Sequence, residues 1–323
     1  MKYYLAPLEG ITTYVFRNAV HEYFGEGIDK YFAPFIMPYE KHILTNKEEN
    51  QLCPEHNVGI NLIPQIMTSV PKEVIRIESA LLEYGYEEYN LNLGCPSGTV
   101  VSKGRGAGFL ADPEGVDRYL DYIFEHTKAK VSVKTRLGMY DSEEFAELLE
   151  IYNKYPLEEL IIHPRVREQF YNGQPDMAMY EYATCNYNGS IIYNGDVRCA
   201  KDAQSIESRF GEGADLKEGQ ITTSGIMIGR GIVASPGLIR NITSKEKETC
   251  EEIWDFLEKL RIDYMAIMSG EMPVLHKMKE IWCYLGGSYG ENFSKELKAI
   301  KKAKTLAQYT SAARMVVFGQ NIS

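Results

Sequence analysis

The chain has 323 residues, of which 44% are hydrophobic and 25% charged, as in a folded globular protein and unlike a disordered one. Its net charge of −10 disfavours nucleic acid binding by the chain as a whole, because contacts with phosphates require Lys and Arg. No run approaches the roughly 18 apolar residues of a membrane span, the first residues show no signal peptide, and the six cysteines lack metal-ligand spacing. We therefore expect a cytoplasmic protein with reduced thiols, no membrane association and no metal.

Eight short runs with the composition of β-strands recur along the first 230 residues. They cover residues 3–6, 31–36, 60–67, 88–93, 130–134, 159–163, 190–194 and 225–229. Between most of them the apolar spacing predicts helices, at residues 71–84, 112–127, 142–154 and 200–210. Pro71 and Pro113 suit a first helical turn, and Asp112 is a candidate cap for the helix that follows it.

This alternation predicts an α/β fold, a (β/α)₈ TIM barrel, because it repeats eight times within the usual length of that fold. A doubly wound open sheet is the alternative. Such a sheet normally has a Gly-rich turn after its first strand, where this chain has "APLEG".

The strand pattern stops after about residue 241, and three or four amphipathic helices follow. We therefore predict a barrel domain at residues 1–241 and a small all-helical domain at residues 242–323. From Glu271 onward the chain has eight Lys and Arg against four Asp and Glu, so this part carries +4 and the remaining 270 residues carry −14. Such asymmetry suggests two parts with different partners.

Polar residues stand at the carboxyl end of nearly every predicted strand, the face at which barrel enzymes place their catalytic groups. These candidates are Pro7, Leu8, Glu9, Gln65, Asn92, Cys95, Lys134, Arg136, His163, Arg165, Asn194, Gly195, Asp196, Gly229 and Arg230. A barrel with a purely structural role does not require so many polar side chains on one rim.

The last two strands carry the features of a phosphate site. In "GIMIGRGIVASPGLI" we predict a buried strand, a Gly-Arg-Gly turn and a helix that begins at Ser235 and Pro236. Glycines admit an oxyanion to backbone N–H groups, and Arg230 adds a bidentate donor. "YNGDV" supplies a second glycine turn beside it, and barrels commonly bind phosphate at this place.

Lys134 and Cys95 suggest redox chemistry at the rim. A lysine facing a phosphate-anchored flavin supplies positive charge to a ring that becomes anionic on reduction, and Gln65 and His163 offer hydrogen bonds to the ring or its phosphate. Cys95 lies between Gly and Pro at a strand end, which favours exposure over packing. We favour a general acid, since a thiol can protonate a carbon that has accepted hydride, over a nucleophile.

Taken together, these residues resemble the tRNA-dihydrouridine synthases, flavin enzymes that reduce uridines in tRNA. The similarity covers the barrel in family order, through "APLEGIT", "NLNLGCPSGTVVSKGRGAGFL", "VKTRLG", "IIHPRVREQFYNG", "NGDV" and "MIGRG". The resemblance implies FMN across the barrel mouth. Its binding residues would be Pro7, Leu8, Glu9, Gln65, Lys134, His163, Asn194, Gly195, Asp196, Gly229 and Arg230.

The same resemblance implies a mechanism. NADPH would reduce FMN, the flavin would deliver hydride to uracil C6, and Cys95 would protonate C5. Asn92, Arg136 and Arg165 are our candidates for holding the uracil and nearby RNA. The uridine must leave its stack to reach the flavin. A monomer is expected from the habit of the family.

Two features depart from the family. Its "HGRT"-like run is "HPRV" here, so Pro164 lacks a backbone donor and Val166 lacks a hydroxyl. The segment at residues 211–224 is longer and more polar than the usual connection. Within the glycine-rich loop after Cys95, we expect Lys103 and Arg105 to meet RNA phosphate.

The lysines of the helical tail are the candidate RNA surface. Lys295, Lys298 and Lys302 share one helical face, with Lys301 and Lys304 beside it. Lys277 and Lys279 lie on the preceding predicted helix. Lys298 and Lys302 are the residues that we select for contact with the RNA backbone.

Two other functions remain open at this point. The chain could be an FMN-dependent barrel reductase of a free pyrimidine or enone, although such an enzyme has no use for a basic helical tail. It could also be a non-catalytic RNA-binding protein on the same scaffold, although a binder does not need Cys95.

Overall fold

The computed structural model describes residues 1–319 and shows one parallel sheet of nine strands. They are β1 (Lys2–Leu5), β2 (Lys30–Phe32), β3 (Leu62–Ile63), β4 (Gln65–Ile66), β5 (Glu88–Leu93), β6 (Lys130–Arg136), β7 (Leu160–His163), β8 (Ile191–Tyr193) and β9 (Thr223–Ile228). The order across the sheet is β3-β2-β1-β9-β8-β7-β6-β5-β4. Because its two end strands are consecutive in the chain, the sheet closes on itself as a barrel.

The predicted third strand is divided at Pro64 into β3 and β4. Proline has no N–H for the strand ladder, which explains the interruption. The Pro64 carbonyl still accepts a hydrogen bond from the Asn90 amide at 2.8 Å, so the circuit stays closed at this point. Counting β3 and β4 as one strand gives eight, and the (β/α)₈ prediction is confirmed over the open doubly wound sheet.

The described residues form fourteen α-helices. They are α1 (Tyr14–Phe24), α2 (Asn46–Leu52), α3 (Pro71–Glu83), α4 (Gly98–Val101), α5 (Pro113–His126), α6 (Phe145–Tyr152), α7 (Met177–Asn186), α8 (Ala200–Phe210), α9 (Arg230–Ala234), α10 (Leu238–Ser244), α11 (Cys250–Ile267), α12 (Glu271–Leu285), α13 (Ser294–Lys302) and α14 (Leu306–Gly319). The four predicted barrel helices correspond to α3, α5, α6 and α8.

The predicted helix starts follow local chemistry. Pro71 and Pro113 occupy the first turns of α3 and α5, where no intrahelical N–H bond is lost. Asp112 caps α5, and its side chain accepts a hydrogen bond from the Gly115 amide at 2.9 Å. The helix predicted at 142–154 begins later as α6, because residues 142–144 form a 3₁₀ turn.

The helix predicted to open at Ser235 and Pro236 begins two residues later, as α10 at Leu238, and the Leu238 amide donates to the Ser235 carbonyl at 3.0 Å. A short helix that was not predicted, α9, precedes it and begins at Arg230, directly after Gly229. Ser235 leaves the helical conformation with φ −147° and ψ 91°, as expected for a residue before proline. The Gly-Arg-Gly run is thus itself the entrance to a helix.

Apolar side chains form two cores. A small cluster fills the barrel interior and consists of Tyr4, Ala6, Phe32, Ile63, Ile161, Ile192 and Met227. A much larger cluster lies between the strands and the surrounding helices and continues into the tail. The filled interior makes the barrel a solid support, so that the free space lies at its ends.

The C-terminal region consists of the four helices α11–α14, within the predicted three or four. It contacts the first barrel helix, where Thr13 Oγ1 lies 3.1 Å from the Tyr264 hydroxyl. The predicted division at residue 241 falls inside α10, and the connection that leads to α11 covers residues 245–249. The division into two domains stays a proposal. Among the helices described, none is long and apolar enough to cross a membrane.

The unusual segment at residues 211–224 connects α8 to the start of β9, at the barrel end opposite the strands' carboxyl ends. It is held by α7, since Gln220 Nε2 donates to Thr184 Oγ1 at 2.8 Å and the Ile221 amide donates to the Thr184 carbonyl at 2.8 Å. This position associates the segment with the stability of the barrel and not with the rim.

Candidate active site

A pocket of about 200 Å³ opens at the carboxyl ends of the barrel strands. It is lined by nearly all the predicted rim residues: Pro7, Leu8, Glu9, Gln65, Asn92, Cys95, Lys134, Arg136, His163, Asn194, Gly195, Asp196, Gly229 and Arg230. Of the predicted site residues, Arg165, Lys298 and Lys302 do not line it.

Strand register explains why distant residues meet here. Asn92 pairs with Lys134 across β5 and β6, and Arg136 pairs with His163 across β6 and β7. Side chains two residues apart on a strand point to the same face, so Lys134 and Arg136 share the inner face of β6. Parallel pairing thus gathers the polar strand ends around one cavity.

A buried chain of hydrogen bonds supports the wall of the pocket below Cys95. Gln65 Nε2 donates to Asn90 Oδ1 at 2.8 Å, and Asn90 Nδ2 donates to Ser132 Oγ at 3.0 Å. From the other side, Asn92 Nδ2 donates to Gln65 Oε1 at 2.8 Å. Asn90, Ser132 and Gln65 are fully buried, so each of these bonds satisfies a group that water cannot reach.

Asn92 connects this hydrogen-bond network to the backbone at Cys95. Its Oδ1 accepts hydrogen bonds from the amides of Gly94 at 3.1 Å and Cys95 at 3.0 Å. On the far side, the Cys95 carbonyl accepts from the Ala107 amide at 3.0 Å. Gly106 has φ +55°, and a Cβ there would lie 2.8 Å from the Cys95 carbonyl oxygen, so only glycine fits beside the cysteine.

Lys134 lines the pocket in surroundings that disfavour its charged form. Burial, with a smaller contribution from the charge of Arg136, lowers the pKa of Lys134 to about 7. No carboxylate of the described residues lies within 4.0 Å of its ammonium group. An anionic group in the pocket would relieve this cost by supplying the missing partner.

The Arg136 side chain is held by hydrogen bonds to two backbone carbonyl groups. Its Nε donates to the Gly94 carbonyl at 2.9 Å and its Nη1 to the Val166 carbonyl at 3.1 Å. Its guanidinium carbon lies 5.6 Å from the centre of the Tyr171 ring. Burial lowers the pKa of Arg136 to about 10, so it stays charged at neutral pH.

His163 is held as a neutral imidazole. Burial, assisted by the charges of Arg136 and Lys134, keeps the pKa of His163 well below its usual range. Its Nε2 lies 3.1 Å from Arg165 Nη1, and a guanidinium only donates, so Nε2 accepts. The proton of the neutral ring is therefore assigned to Nδ1, which makes Nδ1 a donor.

Arg165 differs from its predicted role of contacting the substrate or RNA. Its side chain is 0% exposed, and its donors go to the carbonyls of Asn172 at 3.2 Å and Gly173 at 2.7 Å, to His163, and to Asp196 Oδ2 at 2.6 Å. The structure offers no surface of Arg165 to a ligand. Its place is behind the pocket, where it orients His163 and Asp196.

Asp196 organises the arginines at the side of the pocket where strands β8 and β9 end. Its Oδ1 accepts from Arg230 Nη2 at 2.6 Å, opposite the bond from Arg165. Burial alone raises the pKa of Asp196, but the hydrogen bond from Arg165 and the neighbouring arginine charges bring it below its usual value. This carboxylate positions Arg230 as a donor toward the pocket.

Tyr171 is a pocket residue that sequence reasoning missed. Its ring is 44% exposed and lies 4.2 Å from the Arg230 guanidinium carbon and 5.9 Å from the His163 ring centre. Phe170, just before it, has φ +50°, an uncommon conformation for a bulky residue. The available signal was an aromatic pair before an Asn-Gly turn, at the end of a segment already identified as functional.

The predicted RNA lysines divide into two groups. Lys298 and Lys302 are exposed on α13, together with Lys295 and Lys301, and their contact with RNA stays a prediction. Lys277 and Lys279 are half-buried and have internal roles: Lys277 Nζ donates to the Gly10 carbonyl at 2.5 Å, and Lys279 donates to the Ala303 carbonyl at the end of α13.

The departures noted at Pro164 and Val166 are accommodated inside the protein. The Pro164 carbonyl accepts from the Asp176 amide at 2.7 Å, and the Val166 side chain is buried. Among residues 1–319, no group of three or more His, Cys, Asp or Glu side chains is arranged to hold a metal ion.

Comparison with known proteins agrees with this geometry. A model of the dihydrouridine synthase family matches residues 4–316. The chain is 28% identical over 242 residues to tRNA-dihydrouridine synthase B of Pasteurella multocida strain Pm70, covering 75% of this chain and 68% of that protein. It is 28% identical over 276 residues to a probable tRNA-dihydrouridine synthase of Staphylococcus aureus strain MRSA252, covering 78% and 74%.

Among solved structures, morphinone reductase superposes with a TM-score of 0.50 at 12% sequence identity, covering 76% of this chain and 87% of that one. At this identity the likeness concerns the barrel fold alone. The family match extends over nearly the whole chain, from the first strand to α14. The chain belongs to the dihydrouridine synthase family of flavin-dependent oxidoreductases.

Proposed function

We propose that this protein binds FMN in the rim pocket and, with NADPH as reductant, converts a uridine of tRNA to 5,6-dihydrouridine. The observation that carries the proposal is the convergence of Cys95, Lys134 and the Asp196–Arg230 pair on one pocket at the catalytic end of the barrel. tRNA is the substrate class in the names of both relatives. A cytoplasmic monomer, with the helical tail as the tRNA-binding domain, completes the proposal.

The donor set of the pocket fits FMN. Arg230, together with the glycine turns at Gly195 and Gly229, suits a phosphate at the end of strands β8 and β9. Lys134 and the Nδ1 proton of His163 suit the carbonyl and nitrogen edge of the ring. Gln65 lines the same pocket, and because its amide is already bonded to Asn90 and Asn92, its predicted contact with the ring would use the second hydrogen of Nε2. Pro7, Leu8 and Glu9 border the same space. When bound, reduced FMN supplies the hydride for uracil C6.

Lys134 is suited to stabilise the charge that reduction creates. A lysine whose pKa is about 7 without an anionic neighbour takes up a proton when negative charge develops beside it. His163 contributes a donor without adding charge, because its ring stays neutral. Arg136, fixed by two carbonyls, remains the candidate cation for the uracil carbonyl groups.

Cys95 acts as the proton donor in this mechanism. Its thiol would transfer H⁺ to uracil C5 as hydride arrives at C6, so that the C5–C6 double bond gains two hydrogens in total. The bond that the Cys95 amide donates to Asn92 and the bond that the Cys95 carbonyl accepts from Ala107 fix the cysteine backbone and thereby limit the positions of its sulfur. Asn92 supports the acid in this way, in addition to its predicted contact with uracil.

The two alternatives have less support. A reductase of a free pyrimidine or enone would use the same pocket but would leave the exposed lysines of α13 without a function. A non-catalytic RNA-binding protein would not need an ordered cysteine at the rim. The likeness to morphinone reductase is one of fold and favours neither.

Deletion of the gene tests the function in the cell. Mass analysis of nucleosides from the deletion strain is expected to show loss of dihydrouridine at one or more tRNA positions, restored by the wild-type protein. Unchanged dihydrouridine at every position, in a strain freed of related enzymes, would refute the proposal. Comparison of NADPH with NADH as electron donor tests the choice of reductant.

A further inference from the structure

A second pocket of about 80 Å³ adjoins the main one and has no role in the mechanism described above. It shares Glu9, Pro34 and Phe35 with the main pocket, so the two spaces are continuous at the rim. The segment between β2 and α2 and the helix α2 itself each supply half of the other lining residues. A chemical group that is covalently attached to the ligand of the main pocket would therefore lie in this second pocket.

Two of the side chains that line this second pocket, Phe35 and Tyr39, are aromatic. Phe35 is half-buried, and Tyr39 is 41% exposed. The Tyr39 backbone is fixed, since its carbonyl accepts from Arg76 Nη2 at 2.7 Å. Exposed aromatic rings beside a nucleic acid channel bind unstacked bases by stacking, without preference for sequence.

The Glu48 carboxylate and the Gln51 side-chain carbonyl, which belong to the wall, are engaged within the protein. Glu48 accepts from the Met37 amide at 3.1 Å and from the Thr45 amide at 2.8 Å, as part of the capping box of α2. Gln51 Oε1 accepts from the Tyr14 amide at 2.8 Å. These bonds hold the shape of the wall and leave base recognition to the aromatic rings.

One cation lines the pocket, and a second lies beside Met37 of its wall. The Lys47 side chain is 70% exposed and pairs with Glu9 at 2.9 Å, an exposed pair that is readily exchanged for a phosphate. Arg105, on the loop after Cys95, has its Nη1 4.0 Å from Met37 Sδ. Aromatic rings with cations near them form the pattern of a single-stranded nucleotide site.

We infer that this second pocket binds the nucleotide next to the target uridine in the RNA strand. Tyr39 stacks on its base, while Lys47 and Arg105 contact the flanking phosphates. The inference rests on the proposed function, because a uridine in the main pocket of an RNA substrate must have a covalent neighbour at the rim. A nicotinamide ring is the competing occupant, and the experiment separates the two.

The test measures the KM of the full-length, FMN-loaded protein for unmodified tRNA. Tyr39→Ala is expected to raise this KM about tenfold, since a base–aromatic stack is lost. Tyr39→Phe keeps the ring and is expected to restore the wild-type value. Tyr182→Ala is the matched control, because Tyr182 is 38% exposed on α7, outside the barrel rim, and its loss is expected to change nothing.

Lys47→Ala gives a second measurement on a surface residue whose replacement does not threaten folding. It is expected to reduce the slope of log Kd for tRNA against log salt by about one. An unchanged KM for Tyr39→Ala overturns the inference. If Tyr39→Ala does not fold, an unchanged slope for Lys47→Ala overturns it instead. Slower flavin reduction by NADPH with an unchanged KM for tRNA also overturns it, in favour of nicotinamide.

The wild-type protein in the same assay distinguishes failure of the nucleotide subsite from failure of the proposed function. Dihydrouridine formed by the wild type, together with an unchanged KM for Tyr39→Ala, removes the nucleotide subsite alone. If the wild-type protein forms no dihydrouridine, the proposed function is refuted and the subsite with it.

Discussion

Asn92 holds the backbone of Cys95: its Oδ1 accepts the Cys95 amide at 3.0 Å, while its Nδ2 donates to Gln65 at 2.8 Å. One side chain thus ties the proposed acid to a buried network that reaches Ser132. The position of the thiol depends on this bond, since the cysteine lies in a turn outside the strand.

Asn92→Ala tests this relationship. We expect dihydrouridine formation to slow by at least tenfold while FMN stays bound, because the loop loses the acceptor that fixes Cys95 and the reacting groups move out of line. Single-turnover rates, measured with reduced enzyme and saturating tRNA, check it.

Asn92→Asp is the matched control for that experiment. Aspartate keeps an acceptor for the Cys95 amide and loses the donor to Gln65. It is expected to retain more of the rate than alanine. Equal losses in the two variants would mean that Asn92 acts through its direct contact with uracil and not through the cysteine.

Lys134 gives a prediction on pH and stability. Its pKa is about 7 in the folded protein against 10.5 for an ordinary lysine, so the unfolded chain binds more protons between these values. Burial of Lys134 therefore lowers the free energy of unfolding by its full amount below pH 7, and this destabilisation disappears as the pH rises toward 10.5. Lys134→Met is expected to stabilise the apoprotein at pH 7, on the order of 2 kcal/mol, and to weaken FMN binding.

Urea unfolding of the two apoproteins at pH 7 and pH 10 checks this expectation. The tyrosines that titrate at high pH affect both proteins alike. The difference between the two free energies of unfolding therefore reports on Lys134, whereas neither value does so by itself. A difference that stays constant over this range would show that burial of Lys134 carries no such cost.

The exposed lysines of α13 give a prediction on RNA affinity. The double variant Lys298→Glu, Lys302→Glu is expected to bind tRNA at least tenfold more weakly at physiological salt and to reduce the slope of log Kd against log salt by about two. The matched control is Lys2→Glu, Lys128→Glu, which changes net charge equally at exposed positions at the start of β1 and before β6. Equal weakening by both pairs would reflect overall charge and remove α13 from the interface.

The barrel and most of its rim could be predicted because local patterns encode them. Strand–helix alternation determines the fold class, and the carboxyl ends of parallel strands meet at one face whatever their length. Lys134 and His163 could therefore be placed together from sequence alone. Pro64 divided a strand, and Ser235 with Pro236 separates the predicted helix, α10, from the unpredicted α9, because proline acts on its neighbours in ways that depend on tertiary context.

The partners of each rim side chain could not be predicted. Asn90 and Ser132 point inward with Asn92 and Lys134 by the same alternation, yet only the register between strands shows that they form one network. Arg165 and Arg136 look alike in sequence and are both buried, but Arg165 is enclosed by Asn172, Gly173 and Asp196, whereas Arg136 lines the pocket. Lys277 was grouped with the surface lysines, since sequence does not show that the Gly10 carbonyl lies beside it.

The most direct test of the account compares the wild type with Cys95→Ala in a defined reaction of FMN-loaded protein, NADPH and unmodified tRNA. Nucleoside mass analysis is expected to show a uridine that gains two hydrogens with the wild type. With Cys95→Ala, FMN content and flavin reduction are expected to persist, while dihydrouridine formation falls by at least about a hundredfold through loss of the general acid. Dihydrouridine formed by Cys95→Ala at the wild-type rate, or uridine left unchanged by the wild type, would contradict the account.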